Sequence, residues 1–274
     1  MPFAPVGPRD LHYELTGDGP PLVLVMGLGV AGEAWRPLLP LFEGYRTLTY
    51  DNAGVGLTRD RVTGAPPELQ PAEQPRQVVR EALRRVRRLG PAHVVGVSMG
   101  GAIAMHLAAR EPTLVRTLTL CTTWPKADGL LRQVFAFRED LLEGLGPEGL
   151  LRYVSLFAWG PPSWEAGGVA VAATEALVGS GAPVWDDGER RRYLGHLRAS
   201  VEHDATGVLG AIRSPTLVLV GEGDILTPVR FARTMVDAIP GATLELAPDR
   251  GHAFPFEAPE EFARRVRAFL ERAG

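Results

Sequence analysis

The segment around Ser98 joins a strand signal to a helix signal through one tight turn. Residues 93–97 form a short apolar run rich in valine, and residues 103–108 are apolar and favour a helix. Between them the chain reads Gly96-Val97-Ser98-Met99-Gly100, whose glycines lack the β-carbons that would collide in such a turn. A glycine-rich turn can be purely structural, but these flanks favour a nucleophilic serine with a strained backbone and an exposed hydroxyl.

Strand and helix signals alternate along most of the chain. The predicted strands span residues 11–15, 22–26, 47–50, 93–97, 116–120, 215–220 and 243–246. Helices are predicted directly behind Ser98, over about 228–239 and over about 259–272. Such alternation is typical of the α/β class, in which helices flank a mostly parallel central sheet.

The alternation stops between Trp124 and Ile212. This stretch is helical and irregular, and it contains four of the five tryptophans: Trp124, Trp159, Trp164 and Trp185. We expect a helical cap over 124–212, inserted into a core domain made of 1–123 and 213–274.

Bulk properties argue against several classes of partner. The formal net charge of −3 creates no general attraction for nucleic acids or anionic membranes. Five arginines between residues 80 and 88 alternate with apolar residues at helical spacing, which favours the wet face of a helix over a nucleic-acid patch. No apolar run is long enough to span a bilayer, no secretory signal is visible, and a single cysteine, Cys121, favours a reducing compartment. We expect a cytoplasmic location and leave the oligomeric state open.

A serine nucleophile needs a base, and His252 is the best placed of the six histidines. It lies in a loop just after the last predicted strand, where open α/β sheets gather their ligands. Three others, His12, His93 and His106, fall inside predicted strands or helices and are assigned to packing or the surface.

The acid that orients this histidine is expected at another strand end. Asp224 follows the strand 215–220 and is favoured, because a buried carboxylate there would fix the imidazole tautomer. Glu222 is a rival by proximity, whereas Asp249 precedes His252 too closely to face it easily.

These residues together resemble the α/β-hydrolase fold superfamily over nearly the whole chain. The order Ser98, Asp224, His252 matches the nucleophile, acid and histidine of that superfamily. Asp51-Asn52-Ala53-Gly54-Val55-Gly56 resembles its loop after the third strand, and Pro215 to Asp224 resembles its acid-bearing strand. Ser98 to Ala104 and His203-Asp204 are similar to bacterial 3-oxoadipate enol-lactonases and methyl-esterases.

The resemblance implies a site and also contains two departures. It implies that the backbone amides of Met99 and Leu28 form the oxyanion hole. Met26 stands where the superfamily commonly has the histidine of a His-Gly pair, and Ala53 replaces a usual arginine. Neither departure touches the triad, but both weaken the transfer of a specific substrate.

A serine in the nucleophile position points to acyl chemistry, because haloalkane dehalogenases and epoxide hydrolases of this fold use an aspartate there. We expect cleavage of an ester, lactone or thioester with an apolar portion, through an acyl-enzyme. Aromatic residues of the predicted cap are candidates for the pocket, although each could equally form cap core: Trp124, Phe135, Phe137, Phe157, Trp159 and Trp164.

Two other interpretations remain open. The chain could be a ligand receptor on a hydrolase scaffold, or a C–C hydrolase, lyase or acyltransferase that uses the same triad. No cofactor is expected: the histidines and the cysteine lack metal-ligand spacing, and Gly27-Leu28-Gly29 lacks the third glycine of a dinucleotide site.

Overall fold

A computed structural model describes residues 3–64, 90–165 and 185–273, and within them one sheet organises the molecule. Its nine strands are β1 (Phe3–Val6), β2 (Arg9–Thr16), β3 (Pro21–Val25), β4 (Arg46–Tyr50), β5 (Arg59–Asp60), β6 (Ala92–Val97), β7 (Val115–Cys121), β8 (Thr216–Gly221) and β9 (Thr243–Ala247). The strand order is β1-β2-β4-β3-β6-β7-β8-β9, and β5 pairs with β2.

Six strands form the parallel part of the sheet, as predicted. The pairs β4–β3, β3–β6, β6–β7, β7–β8 and β8–β9 are all parallel. The pairs of β2 with β1, β4 and β5 are antiparallel. Strands β1 and β5 were not predicted; β1 contains Pro5 and β5 has only two residues, so neither carries a clear strand pattern.

Helices cover both faces of the sheet in the described ranges. They are α1 (Met99–Arg110), α2 (Gly129–Ala158), α3 (Pro161–Glu165), α4 (Asp187–Glu202), α5 (Val229–Ala238), α6 (Phe254–Glu257) and α7 (Pro259–Ala273). Two 3-10 helices lie at Gly32–Phe42 and Leu209–Ala211. No helix in these ranges is both long and apolar enough to cross a membrane.

The central strands send alternate side chains into two separate cores. In β3, Val23 and Val25 pack in the core that includes α1, whereas Leu22 and Leu24 pack in the core that includes α7. This is the period of two that a strand imposes on its side chains. Both faces of β3 are therefore apolar, which explains why its sequence is a continuous apolar run rather than an alternating one.

The segment between β7 and β8 is mostly helical where the structure describes it. Helix α2 is broken at Gly146, which has φ 67° and ψ −170° and is followed by Pro147. The two ends of the segment meet, since the amide of Ala205 donates to the carbonyl of Pro125 at 2.8 Å. The Lys126 ammonium lies 2.7 Å from the Asp204 carboxylate beside this contact.

One prediction lies outside the described residues. The arginine-rich helix that the sequence places over about 79–89 falls in the stretch 65–89.

Candidate active site

Ser98 occupies a strained turn between β6 and α1. Its φ of 56° and ψ of −123° lie in a backbone region that residues other than glycine rarely adopt. The turn is tight because a β-carbon on Gly96 would lie 2.7 Å from the carbonyl carbon of Gly100, and one on Gly100 would overlap the carbonyl of Val25. Only glycine at both positions lets α1 approach β3 and β6 so closely. The strained turn that the pentapeptide predicts is therefore present.

The carboxyl ends of parallel strands bring three predicted residues together. Ser98 follows β6, Asp224 follows β8 and His252 follows β9. His252 Nε2 lies 3.0 Å from Ser98 Oγ, and His252 Nδ1 lies 2.9 Å from Asp224 Oδ2. These are hydrogen-bond distances, and they run in an unbroken line from a carboxylate through an imidazole to a hydroxyl. Such an arrangement can move a proton from the hydroxyl to the imidazole.

Asp224 is held by several donors in a buried position. Only 2% of the residue is exposed. The amides of Leu226 and Thr227 donate to its Oδ1 at 2.9 and 2.7 Å, and the Thr227 hydroxyl donates to its Oδ2 at 2.7 Å. Burial alone would raise the pKa of Asp224, but the neighbouring His252 and the Thr227 bonds outweigh it and lower that pKa below its ordinary value. The carboxylate therefore stays ionised beside the imidazole.

Among the described residues, no hydrogen bond or ion pair joins the side chain of either rival acid, Glu222 or Asp249, to His252. The His252 ring bonds to Asp224 and Ser98, with the Thr227 hydroxyl 3.2 Å from Nδ1. Asp249 adopts a left-handed backbone, with φ 59°, in the turn that leads to His252. Thr227 was not singled out from the sequence, because a lone threonine after the acid carries no recognisable pattern.

The residues proposed for the oxyanion hole both lie beside Ser98. Met99 is the first residue of α1, where backbone amides have no acceptor within the helix. Leu28 lines the same cavity as Ser98. A β-carbon on Gly27 would lie 3.2 Å from Cβ of Ser98, so the loop before Leu28 passes directly over the nucleophile.

A cavity of about 220 Å³ opens above the serine and the histidine. Most of its lining is apolar, and it comes from five parts of the chain, one of which is the end of β6 with Val97 and Ser98. The loop after β3 and the segment between β7 and β8 provide most of it, with the loops after β8 and β9: Met26, Gly27, Leu28, Val30, Val97, Ser98, Trp124, Phe135, Arg138, Val154, Ala158, Leu226, His252, Ala253 and Phe256.

Two of the six predicted pocket residues line this cavity, Trp124 and Phe135. The other four predicted pocket residues are not part of its lining. Phe137 is 48% exposed and packs edge-on against Tyr153, and the Phe157 ring lies 4.9 Å from the same tyrosine ring, centre to centre. Trp159 and Trp164 are half-buried at the end of α2 and in α3. Phe135 and Phe137 lie two positions apart on one helix and so face different directions, which composition cannot reveal.

A second network supports the loops on the other side of the serine. Asp51 accepts hydrogen bonds from the amides of Gly32 and Leu57, both at 2.8 Å, and contacts the His12 ring. His196 of α4 donates from Nε2 to the carbonyl of Ala53 at 2.8 Å, and its Nδ1 accepts from the amide of Gly29 at 3.4 Å.

His196 thus joins α4 to two loops of the sheet edge. Burial lowers its pKa to about 4, against the raising effect of the bond to Ala53, so the ring is neutral near pH 7 and has one donor and one acceptor. Sequence reasoning did not select it because nothing in its helix marks it as different.

Within the described ranges, no three His, Cys, Asp or Glu side chains are grouped so that they could hold a metal ion.

Proteins of known name are similar to this chain over nearly its whole length. A protein of Azorhizobium caulinodans named "Putative carbamate hydrolase RutD" is 32% identical over 276 residues, which cover 98% of each chain. A protein of the same name from Pseudomonas syringae is 33% identical over 267 residues, 96% of this chain and 98% of the relative. The enol-lactonase from Burkholderia xenovorans LB400 is 25% identical, with a TM-score of 0.83 over 98% of this chain and all of that one.

The sequence model of the Alpha/beta hydrolase family matches residues 22–265, most of the chain. The relatives are named as hydrolases, and the similar structures share the fold described above. The fold class and the resemblance inferred from the sequence are thus confirmed. The chain is a hydrolase and belongs to the Alpha/beta hydrolase family.

Proposed function

We propose that this hydrolase cleaves a carboxylic ester, lactone or thioester through an acyl-enzyme formed on Ser98. The observation that carries the proposal is the line of contacts from Asp224 through His252 to Ser98, at 2.9 and 3.0 Å, on the floor of a cavity. A serine hydroxyl is a weak nucleophile by itself, and this line supplies the base and the group that orients it.

In the first half of the reaction, Ser98 Oγ attacks the carbonyl carbon and its proton passes to His252 Nε2. The imidazolium that forms is stabilised by the carboxylate of Asp224. The negative charge on the former carbonyl oxygen is stabilised by the amides of Leu28 and Met99. The C–O or C–S bond then breaks, and the leaving group takes the proton from His252.

In the second half, water replaces the leaving group. His252 takes a proton from the water while the water oxygen attacks the acyl carbon. It then returns that proton to Ser98 Oγ as the bond between Oγ and the acyl carbon breaks. The products are a carboxylic acid and an alcohol or thiol, or a single hydroxy acid when the substrate is a lactone, and the enzyme returns to its starting state.

The segment 124–212 acts as a cap over this site. Five cavity-lining residues come from it: Trp124, Phe135, Arg138, Val154 and Ala158. Its ends meet at the contact of Ala205 with Pro125, as expected of an insertion that leaves the sheet and returns to it at one place. The cap, Leu226 and Phe256 give the cavity an apolar surface. This surface favours a substrate whose acyl chain or ring is at least partly apolar.

The named relatives favour a second candidate substrate, a carbamate. Those relatives are named as carbamate hydrolases, and they cover almost the whole chain at 32% and 33% identity. Attack of Ser98 on a carbamate carbonyl needs the same base and the same oxyanion donors. Carbamates therefore belong in the substrate panel beside esters.

The test is a turnover screen over esters, lactones, thioesters and carbamates, with Ser98→Ala and wild type compared. We expect turnover by the wild type, loss of at least about 10³-fold in Ser98→Ala, and an unchanged unfolding midpoint. Hydrolysis in ¹⁸O-labelled water should place the label in the acid product.

Three outcomes would contradict the proposal. Full activity of Ser98→Ala would show that Ser98 is not the nucleophile. Tight ligand retention with negligible turnover would favour a receptor. Products of C–C cleavage, or acyl transfer to an acceptor other than water, would move the reaction to a different class.

A further inference from the structure

Arg138 is a buried cation that faces the cavity above Ser98. It lies in α2, only 4% of the residue is exposed, and it lines the cavity together with Ser98 and His252. Its Nε and Nη2 atoms are buried, and no described residue offers either of them an acceptor within hydrogen-bond distance. A buried charge left unpaired destabilises a fold, so its presence calls for a function.

The surroundings of Arg138 are aromatic rather than acidic. Its guanidinium carbon lies 5.3 Å from the centre of the Phe135 ring. Burial raises the pKa of Tyr193, against the opposing charge of Arg138 and a hydrogen bond from it, so the two side chains are close. No carboxylate is among the described residues that line the cavity. The positive charge is therefore not neutralised within this lining.

Other arginines of the same helix differ from Arg138. Arg132 is exposed and donates from Nε to the carbonyl of Ala127 at 3.1 Å. Arg152 lies 3.2 Å from the carboxylate of Glu148, one helical turn away, and both are exposed. Only Arg138 among these three points into the protein.

The two unpaired atoms of Arg138 are Nε and Nη2, and the same two atoms of another arginine in this chain bind a carboxylate. Arg36 donates from Nη2 and Nε to the two carboxylate oxygens of Glu14, at 2.7 and 3.4 Å. Nε and Nη2 lie on the same side of the planar guanidinium, so their hydrogens match the spacing of two carboxylate oxygens. In Arg138 neither of these two donors has an acceptor among the described residues.

We propose that Arg138 binds a carboxylate of the substrate, so that the hydrolase acts on an acyl compound that carries a second, ionised carboxyl group. This substrate class rests on the proposed function, since Ser98 is taken as the nucleophile. The apolar lining contacts the chain or ring between the two carbonyl groups, and Arg138 fixes the end opposite the scissile bond. A half-ester of a dicarboxylic acid, or a lactone that bears a carboxylate, has this chemistry.

The binding test uses Ser98→Ala, so that it needs no turnover. The probes are three half-esters: monomethyl succinate, monomethyl glutarate and monomethyl adipate. Calorimetry compares the affinity of each with that of a neutral analogue in which a methyl ketone replaces the carboxylate. We expect the half-ester of best length to bind about tenfold or more tightly than its neutral analogue, as charged hydrogen bonds require. In the Ser98→Ala background, Arg138→Met should bind the half-ester and its neutral analogue with similar affinity. Arg138→Lys should keep part of the preference for the half-ester.

Arg152→Met is the matched control, because it removes an exposed arginine from the same helix. It should leave the preference unchanged. Arg138→Met should unfold at the same or higher urea concentration than the parent, since it replaces an unpaired buried charge with an apolar side chain. A purely structural Arg138 would instead make this variant clearly less stable.

The outcomes separate this inference from the proposed function. Hydrolysis by the wild type with equal rates for charged and neutral esters would overturn the inference and leave the serine hydrolase standing. Preferential binding of half-esters to Ser98→Ala, without turnover by the wild type, would support Arg138 and overturn the proposed reaction. Displacement of the half-ester by inorganic phosphate at equal concentration would overturn the carboxylate assignment.

Discussion

Thr227 is the residue through which the acid of the site is positioned. Its side chain is fully buried, its hydroxyl donates to Asp224 Oδ2 at 2.7 Å, and the same oxygen lies 3.2 Å from His252 Nδ1. The hydroxyl is thus next to the bond on which the tautomer of His252 depends. We expect such a residue to affect the proposed reaction through Asp224 and His252.

We expect Thr227→Val to lower kcat about tenfold to a hundredfold, with little change in KM, because a charged hydrogen bond to Asp224 is lost while the side-chain volume is kept. Thr227→Ser restores the hydroxyl and should recover most of the rate. The measurement is steady-state kinetics on the best ester of the screen. Equal rates for the valine and serine variants would show that the hydroxyl is unimportant.

Asp224→Asn tests the acid itself. The amide keeps the shape of the carboxylate but cannot stabilise an imidazolium, and it favours the wrong tautomer of His252. We expect kcat to fall by about 10⁴ with the fold retained. Glu222→Gln is the control, because Glu222 is the rival acid of the same loop. Loss of activity in the glutamine variant and not in the asparagine variant would reverse the assignment.

At the scale of elements, the close contact of α1 with β3 and β6 is the feature that forces Ser98 into its turn. A β-carbon on Gly100 would overlap the carbonyl of Val25, so alanine there must push α1 away from β3. Gly144, in α2, has open space where a β-carbon would lie, with nothing within 4 Å of that position. The two glycines should therefore respond oppositely to the same substitution.

We expect Gly100→Ala to lower the urea midpoint markedly and to abolish turnover. Gly144→Ala should raise the free energy of unfolding by about 0.4–1 kcal/mol, because alanine reduces the freedom of the unfolded chain and favours a helix. Urea unfolding of both variants beside the wild type is the measurement. An unchanged midpoint for Gly100→Ala would mean that α1 can move away from β3 without loss of stability.

Elements differ in how well the sequence predicts them. Strands β3, β6 and β8 are predictable because valines and leucines dominate their short apolar runs, whereas β4, β7 and β9 show leucines spaced by threonine or glutamate. Strand β1 was missed because Pro5 interrupts so short a run, and its place depends on pairing with β2, a contact that no local pattern encodes. Strand ends were the most useful part of the prediction, since they placed Asp224 and His252 beside Ser98.

At the scale of the whole molecule, the cavity was the part that sequence could not supply. Ser98, Asp224 and His252 could be selected from the sequence because each follows a recognisable strand. The side chains of the segment 124–212 lack such a reference: Phe135 lines the cavity while Phe137 is half-exposed, and no local pattern separates Arg138 from the other arginines of α2. Which face of α2 turns inward depends on packing against α4 and the sheet domain, and thus on the complete fold.

The stability of the whole molecule should depend on pH through two buried histidines. Burial lowers the pKa of His93 and of His196 to about 4 in the folded chain. In the unfolded chain histidine titrates near about 6.5. Between these values the unfolded chain binds protons that the folded one does not, so the free energy of unfolding falls as the pH falls, by up to about 1.4 kcal/mol per pH unit for each histidine.

His93→Asn isolates one of these contributions. His93 Nδ1 lies 2.8 Å from the Thr117 hydroxyl, and an asparagine amide can replace that contact without titrating. As the pH falls from about 6.5 to about 4.5, we expect the free energy of unfolding to decrease less steeply in the variant than in the wild type. The difference in slope should be up to about 1.4 kcal/mol per pH unit, the value for one proton. Urea midpoints at several pH values measure this. The lowered pKa of Asp224 affects stability only at lower pH, where protonation of that carboxylate removes its contribution, so it does not interfere in this window. Parallel pH profiles for the two proteins would mean that His93 takes up its proton without unfolding.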